Sequence, residues 1–193
     1  MLSCQNWPVG ICTWSLGNDI TVLEQAMIAS GMTHLHLSLD PALSADNRDY
    51  LNSIEKNQWQ PTASMISFSQ EDYSTLETIK KTGGIVPDQH WGKNKEKILQ
   101  AIELTASLNI KFLTFHFGFI DNFDDELREK VRLLADVAKQ NNIMILMESG
   151  QESAESLKDF LVKLSHPALG VNFDPANMIL YDKGNPVSAL ETL

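Results

Sequence analysis

The sequence predicts an α/β protein in which short strands alternate with helices around a parallel sheet. Two observations support this: short β-like apolar runs recur along the chain, and the stretches between them repeat their apolar residues at a helical spacing. The predicted strands are residues 9–13, 34–39, 61–68, 112–116, 143–148 and 169–174. The predicted helices are residues 20–30, 46–57, 93–108, 124–141 and 153–164. This alternation implies right-handed crossovers and therefore a parallel sheet.

Two architectures share this alternation: a doubly wound open sheet and a closed (β/α)8 TIM barrel. The first strand-to-helix connection, residues 13–18 (TWSLGN), lacks the G-x-G-x-x-G pattern of a dinucleotide-binding fold. A complete barrel takes about 250 residues, whereas the 193 residues here supply six strands and a sixth helix that starts near Pro186. We expect residues 1–193 to form one domain, an incomplete TIM barrel that lacks the last two βα units.

Composition narrows the class of partner. The net charge of -10 argues against nucleic acid and anionic membranes, because both require clustered Lys and Arg. Cys4 and Cys12 form no C-x-x-C pair, so neither a zinc site nor a disulfide framework is expected. The N-terminus does not resemble a signal peptide, and no apolar stretch approaches the roughly 20 residues of a membrane span. The expected location is the cytoplasm.

Three predicted strands end in a residue with chemical use: His116, Glu148 and Asp174. In a parallel barrel the C-terminal strand ends meet at the rim that carries the active site. Taken singly, Glu148 fits an ordinary paired or capping acid, and Asp174 fits a turn-forming Asp-Pro. Two acids in the same topological place favour a divalent metal site instead. Oxygen ligands suit Mg²⁺ or Mn²⁺, and a histidine widens the choice to Zn²⁺ or Co²⁺.

Three further features have two interpretations each. His116 is either a hydrogen-bonded rim histidine or a direct substrate contact. Trp14, just past the first strand, either walls a sugar pocket or packs in the core. Residues 83–92 (GGIVPDQHWG), with a Gly-Gly pair and the aromatic tip Trp91, form either a loop over the active site or a plain surface excursion.

Several of these segments resemble motifs of the xylose-isomerase-like TIM-barrel family. Residues 170–178 (GVNFDPANM) resemble its sixth-strand motif, residues 147–150 (MESG) its E-[TS]-G pattern, and residues 115–118 (FHFG) its H-x-G pattern. The opening, residues 9–16 (VGICTWSL), is also typical, and the resemblance extends over essentially the whole chain. This family contains sugar (phosphate) isomerases and epimerases, hydroxypyruvate isomerase, inosose dehydratase and, more distantly, endonuclease IV.

The resemblance implies a metal held by four residues from the last four strands. Glu148 and Asp174 match two of them. The other two would be a histidine ending strand seven and a glutamate ending strand eight, beyond the six predicted strands. In the epimerases two glutamates form an acid/base pair, of which Glu148 matches one. Asn177 stands where several ketose epimerases carry a substrate-binding histidine, so it is a candidate substrate contact and weighs against a ketose 3-epimerase.

The leading hypothesis is a divalent-metal-dependent (Mn, Mg, Co or Zn) isomerase or epimerase of a small sugar, sugar phosphate or related hydroxy-carbonyl compound. Glu148 would transfer a proton through an enediolate intermediate. An inosose-type dehydratase stays open, as does an endonuclease-IV-like phosphodiesterase, which the acidic charge disfavours. A non-catalytic truncated chain is the remaining alternative. The 193 residues alone are expected to be inactive and, through the open edges of strands one and six, to form homo-oligomers or aggregates.

Overall fold

The computed structural model describes residues 3–44, 48–120 and 124–193. Within these residues the main feature is a six-stranded sheet in which every strand pairs in parallel with the next one along the chain. Its strands are β1 Gly10–Cys12, β2 His34–Ser38, β3 Gln60–Met65, β4 Phe112–Phe115, β5 Met144–Glu148 and β6 Leu169–Asn172. A doubly wound sheet reverses its strand order at a switch point. The sequential order is therefore that of a barrel wall.

Helices connect the strands. A short 3-10 helix, Thr13–Leu16, follows β1. An antiparallel hairpin of Ser3–Cys4 and Trp7–Pro8 precedes β1. The α-helices are α1 Ile20–Ser30, α2 Asp40–Leu43, α3 Arg48–Lys56, α4 Leu76–Thr82, α5 Asp88–Ser107, α6 Asp125–Gln140, α7 Ala154–Leu164, α8 Pro175–Leu180 and α9 Pro186–Thr192. None of the helices in these three described stretches is long and apolar enough to cross a membrane.

Helix α6 shows how the sequence specifies these elements. The carboxylate of Asp124 accepts a hydrogen bond from the backbone N–H of Leu127 at 2.9 Å and so caps the helix. Two acids in the first turn lie at the positive end of the helix dipole. Leu127, Val131 and Leu134 are buried at the predicted spacing, which confirms the amphipathic pattern.

The core lies between the sheet and the helices. One continuous cluster of buried side chains joins strand residues such as Leu35 and Ile145 to residues of α1, α3, α5, α6 and α7. Along β5, Ile145 and Met147 are buried in this cluster, whereas Met144, Leu146 and Glu148 are only half-buried on the other face. The sheet therefore buries one face against helices, as the wall of a barrel does, and Glu148 belongs to the other face.

The boundaries of several elements differ from prediction. Helix α5 begins at Asp88, so the second half of the predicted loop 83–92 is helical. Gly92 suggested a loop, but one glycine costs a helix only about 1 kcal/mol, which a helix of this length tolerates. Strand β3 ends at Met65, although the following residues Ile66 and Phe68 stay buried. Helix α8 was not predicted, and the predicted start of the second helix at Asp46 lies outside the described residues.

Candidate active site

The C-terminal ends of the strands border a cavity of about 430 Å³. Five of its lining residues are the candidates that the sequence predicted: Trp14, His116, Glu148, Asp174 and Asn177. The others are Asn18, Asp40, Met65, Ser67, Tyr73, Leu180 and Tyr181. The fold thus brings together residues that are more than 160 positions apart in sequence, such as Trp14 and Asn177.

Glu148 and Asp174 form a pair of carboxyl groups on this cavity. Glu148 is the last residue of β5 and pairs in register with Asn172 of β6, two residues before Asp174. The two carboxyl groups are close enough for the charge of Asp174 to affect the titration of Glu148. Burial, reinforced by the negative charge of Asp174, raises the pKa of Glu148 to about 7. Near neutral pH this pair therefore retains a proton or attracts a cation.

Local backbone contacts fix the position of Asp174. Its Oδ1 accepts hydrogen bonds from the backbone N–H groups of Ala176 at 2.8 Å and Asn177 at 2.9 Å, and so caps helix α8. Pro175 occupies the first helical position, where its missing N–H costs nothing. Asp174 is therefore a helix cap as well as a member of the acid pair.

The Ser149–Gly150 step locks the ends of β5 and β6 together. The Oγ of Ser149 accepts a hydrogen bond from the backbone N–H of Asp174 at 2.8 Å, and the Ser149 N–H donates to the carbonyl of Asn172 at 2.9 Å. Gly150 has φ +118, and a Cβ there would lie 2.4 Å from the Cβ of Asn177. The hydroxyl of Ser149 and the small size of Gly150 therefore allow the ends of β5 and β6 to approach closely.

Both oxygens of Glu148 have a polar neighbour. The amide Nδ2 of Asn177 donates to Oε1 at 3.2 Å. His116 Nε2 lies 3.4 Å from Oε2, and His116 Nδ1 lies 3.1 Å from Nε2 of Gln151. Burial lowers the pKa of His116, against the opposing effect of the charges of Glu71 and Asp174. His116 is thus hydrogen-bonded at the rim, direct contact with a substrate stays a prediction, and Asn177 contacts the candidate catalytic acid.

Trp14 lies in the 3-10 turn after β1. Its ring packs edge-on against the ring of His36, with centroids 4.7 Å apart, while it also lines the cavity. His36 is itself bonded, through Nε2, to the carbonyl oxygen of Ser64 at 3.2 Å. Trp14 therefore packs against the sheet and forms part of the cavity wall, which combines both interpretations of the sequence.

The loop after β3 approaches the site through Tyr73 and not through the predicted segment 83–92. A Cβ on Gly84 (φ +67) would lie 2.2 Å from the backbone carbon of Phe117, and one on Gly118 (φ +93) would lie 2.6 Å from the Gly83 oxygen. This close backbone contact holds the loop against the end of β4. Tyr73, rather than the predicted Trp91, approaches the site, with its ring 5.8 Å from that of His116.

Trp91 lies in α5, where its ring faces the Nζ of Lys130 at 5.5 Å, and it packs against the main core. The aromatic tip was therefore misassigned, because residues 88–92 continue into the helix.

Four residues near the site were missed in the sequence: Asp40, Tyr73, Gln151 and Tyr181. Asp40 comes directly after the predicted strand 34–39, so the strand-end argument used for Glu148 would have found it. Its carboxylate lies 2.7 Å from Nζ of Lys97 and accepts hydrogen bonds from Ser67. The other three lie in loops or just after a short helix, where no periodic pattern marks them.

The donor set fits part of a metal site. Glu148 and Asp174 provide two converging carboxyl groups, which are the ligands that Mg²⁺ and Mn²⁺ prefer. Across residues 3–44, 48–120 and 124–193, no group of three or more His, Cys, Asp or Glu side chains is arranged to hold a metal ion. Glu148 and Asp174 are the two residues that would hold such an ion.

The fold and site define an α/β TIM-barrel protein with a paired-acid site at the C-terminal ends of its strands. More particularly, the family described as xylose isomerase-like TIM barrel matches residues 26–192, which is most of the chain. The protein belongs to this family. No curated protein matches the chain at a significant level.

Solved structures share the fold. A xylose isomerase domain protein from Planctomyces limnophilus has 25% identity and a TM-score of 0.84, with 96% of this chain and 70% of that chain covered. A xylose isomerase-like TIM barrel protein from Mycobacterium smegmatis, in complex with magnesium, has 18% identity, coverage of 100% and 73%, and a TM-score of 0.69. D-psicose 3-epimerase from Clostridium cellulolyticum H10, with D-tagatose, has 15% identity, coverage of 95% and 68%, and a TM-score of 0.66. At their level of identity, the last two bear on the fold alone.

Proposed function

We propose that this protein is a divalent-metal-dependent isomerase or epimerase of a small sugar, sugar phosphate or related hydroxy-carbonyl compound. The observation that carries the proposal is the pair formed by Glu148 and Asp174, which lies on a cavity at the active-site rim. The family to which the chain belongs supports the general kind of enzyme. The epimerase among the similar folds fits the same kind of reaction.

Glu148 is the proposed acid/base residue. A group transfers protons efficiently in both directions when its pKa lies near the working pH, and the pKa of Glu148 is raised to about 7. Isomerisation and epimerisation both require a proton to leave a carbon next to a carbonyl and then to return. Glu148 takes and returns that proton, while Asn177 and His116 hold its two oxygens.

Glu148 and Asp174 would also hold the metal ion. When bound, a divalent cation polarises the hydroxy-carbonyl group and lowers the pKa of the adjacent C–H. Mn, Mg, Co or Zn all suit such a site, and the magnesium in the Mycobacterium smegmatis structure agrees with this class of ion.

The substrate would lie between the acid pair and the aromatic wall. His116, Asn177 and Trp14 are its proposed contacts, and Tyr73 stands beside them on the cavity. The cavity volume of about 430 Å³ falls within the roughly 300–1,000 Å³ of small-molecule sites. The net charge of -10 supports a small-molecule substrate over nucleic acid or a membrane surface.

The test is proton exchange in D₂O with a panel of ketoses and aldoses, using the complete barrel. With Mn²⁺ present we expect deuterium at the carbon next to the carbonyl. EDTA should abolish this exchange and added Mn²⁺ should restore it. A dehydrated product instead of exchange would favour the inosose-type dehydratase. Cleavage of abasic DNA would favour the phosphodiesterase, and sugar binding without either reaction would favour a non-catalytic protein.

The isolated chain provides a separate test. Only two of the four implied metal ligands lie on its described strands, so we propose that the 193 residues alone do not turn over ketoses. Strands β1 and β6 are the outer strands of the described sheet, and we propose that copies associate through them. Light scattering and a turnover assay with Mn²⁺ measure both. A monomer with metal-dependent turnover would contradict the ligand assignment.

A further inference from the structure

Gln151 lies beneath the acid pair, in the turn that follows β5. Its side chain is buried, with 3% of the residue exposed. Its amide Nε2 lies 3.1 Å from Nδ1 of His116. An amide nitrogen can only donate a hydrogen bond, so Nδ1 accepts and carries no proton. The proton of a neutral His116 ring must then be on Nε2.

The protonated nitrogen faces the proposed acid/base residue. His116 Nε2 lies 3.4 Å from Oε2 of Glu148, so a proton on this nitrogen would face the carboxylate. Gln151 and Glu148 therefore contact opposite nitrogens of the His116 ring.

Among the described residues, Tyr73, Glu71 and Asp174 also act on the ring of His116. The ring of Tyr73 packs edge-on against His116, at 5.8 Å between centroids. The two oxygens of Glu71 are occupied by the backbone N–H groups of Phe68 at 2.9 Å and Gly84 at 3.1 Å. Glu71 and Asp174 influence His116 through their charges.

We propose that Gln151 is a positioning residue that fixes His116 as its Nε2–H tautomer and so orients the carboxylate of Glu148 for proton transfer. The catalytic consequence rests on the proposed function, whereas the tautomer itself does not. Residues that orient a group in direct contact with the reaction typically change activity by about 10- to 100-fold when removed, as around metal sites.

The test is ¹H–¹⁵N long-range NMR on histidine-labelled protein at pH 8, with the His116 signals assigned by their loss in His116→Asn. We expect wild type to show a protonated Nε2 and an unprotonated Nδ1. In Gln151→Glu the new carboxylate can only accept, so Nδ1 should become protonated at the same pH. Gln89→Glu is the matched control, because Gln89 contacts the ring of His90 at 3.1 Å on the exposed surface. It should leave the His116 signals unchanged.

The proposal is overturned if wild type carries its proton on Nδ1, or if folded Gln151→Glu leaves both ring nitrogens unchanged. The wild-type measurement decides the matter even if the variant does not fold. In the complete barrel, Gln151→Leu should lower kcat about tenfold while KM changes less than about twofold. Loss through KM alone would contradict a positioning role. The expected tautomer in a protein without isomerase activity would refute the proposed function and leave the tautomer assignment supported.

Discussion

Two acidic positions on the same rim behave differently. Asp40 follows β2, and its carboxylate is neutralised by Lys97 at 2.7 Å and accepts hydrogen bonds from Ser67. Glu148 follows the same topological rule at the end of β5, but the charged neighbour that shifts its pKa is another acid, Asp174. Asp40 thus connects the β2 and β3 ends to α5, whereas the Glu148 pair is left with excess negative charge. Both acids lie at the end of a strand, so the difference in their charge state comes from the side chains that surround them.

The largest expected effect is on turnover. In the complete barrel, Glu148→Gln keeps the size of the side chain and removes the acid/base group, so kcat should fall by about 10²–10⁴-fold. Substrate affinity, measured by calorimetry, should change little. Glu129→Gln, on the exposed face of α6, is the control and should retain full activity. Full activity of Glu148→Gln would show that Glu148 does not transfer the proton. Glu148 would then have no more catalytic role than Asp40.

A second prediction concerns stability against pH without metal. Because the folded-state pKa of Glu148 is raised from 4.5 to about 7, the folded state binds this proton more tightly than the unfolded state does. Stability from this group is therefore present at low pH and lost as the pH rises from about 4.5 to 7, by at most about 3 kcal/mol. Urea unfolding at pH 5 and pH 8 measures the loss.

Glu148→Gln isolates that contribution, because His116 and Glu71 titrate in both proteins. Relative to wild type, the variant should gain stability between pH 5 and pH 8. Mn²⁺ should stabilise wild type at pH 8 more than it stabilises the variant. A constant difference between the two proteins across this range would show that the acid pair does not carry excess charge.

The third prediction tests how the acid pair is held together. Gly150→Ala places a Cβ 2.4 Å from that of Asn177 at φ +118, so it should destabilise the protein by about 2–4 kcal/mol through strain and a clash. Gly184→Ala is the matched control, because Gly184 has φ +111 but open space around it. It should show the strain alone, about 1–2 kcal/mol. Equal melting temperatures for the two variants would contradict close packing of the two strand ends.

The smallest expected effect is at Asp40. Asp40→Asn removes a partly exposed ion pair with Lys97 and should cost about 1 kcal/mol, less at high salt. Mn²⁺ affinity should stay within about twofold of wild type, because the acid pair is intact. Asp125→Asn, in an exposed ion pair on α6, should cost less than about 0.5 kcal/mol. A large loss of metal affinity in Asp40→Asn would place Asp40 in the metal site.

The sheet was well predicted from the sequence, because the spacing of apolar residues indicates which residues are buried. All six strands were found, and the apolar face of α6 was correct at Leu127, Val131 and Leu134. The predicted strand ends were less accurate where residues stay buried after the strand pairing has ended. Ile66, which follows the last residue of β3, is an example. Helix α8 escaped notice because it is only six residues long, too short for a periodic pattern.

The candidate site was predictable in part. Glu148 and Asp174 were recognised because strand ends converge whatever the loops do. Tyr73 and Gln151 were not, since their positions depend on loop geometry that a single sequence does not encode locally. Tyr73, for example, reaches His116 only because the chain after it is held against the end of β4.

That contact between the Gly83–Gly84 step and Phe117–Gly118 also determines where the chain can change length. The Ile85 N–H donates to the carbonyl oxygen of Phe117 at 3.0 Å, and a Cβ on Gly84 or Gly118 would overlap the facing backbone. An inserted residue between positions 83 and 86 would have to break this contact. Residues 72–77 are exposed, so relatives with a longer or shorter connection here should place the change in that stretch. Insertions there would remodel the part of the cavity wall that Tyr73 forms and change its ring contact with His116, while the backbone contact of residues 83–84 with 117–118 could stay intact.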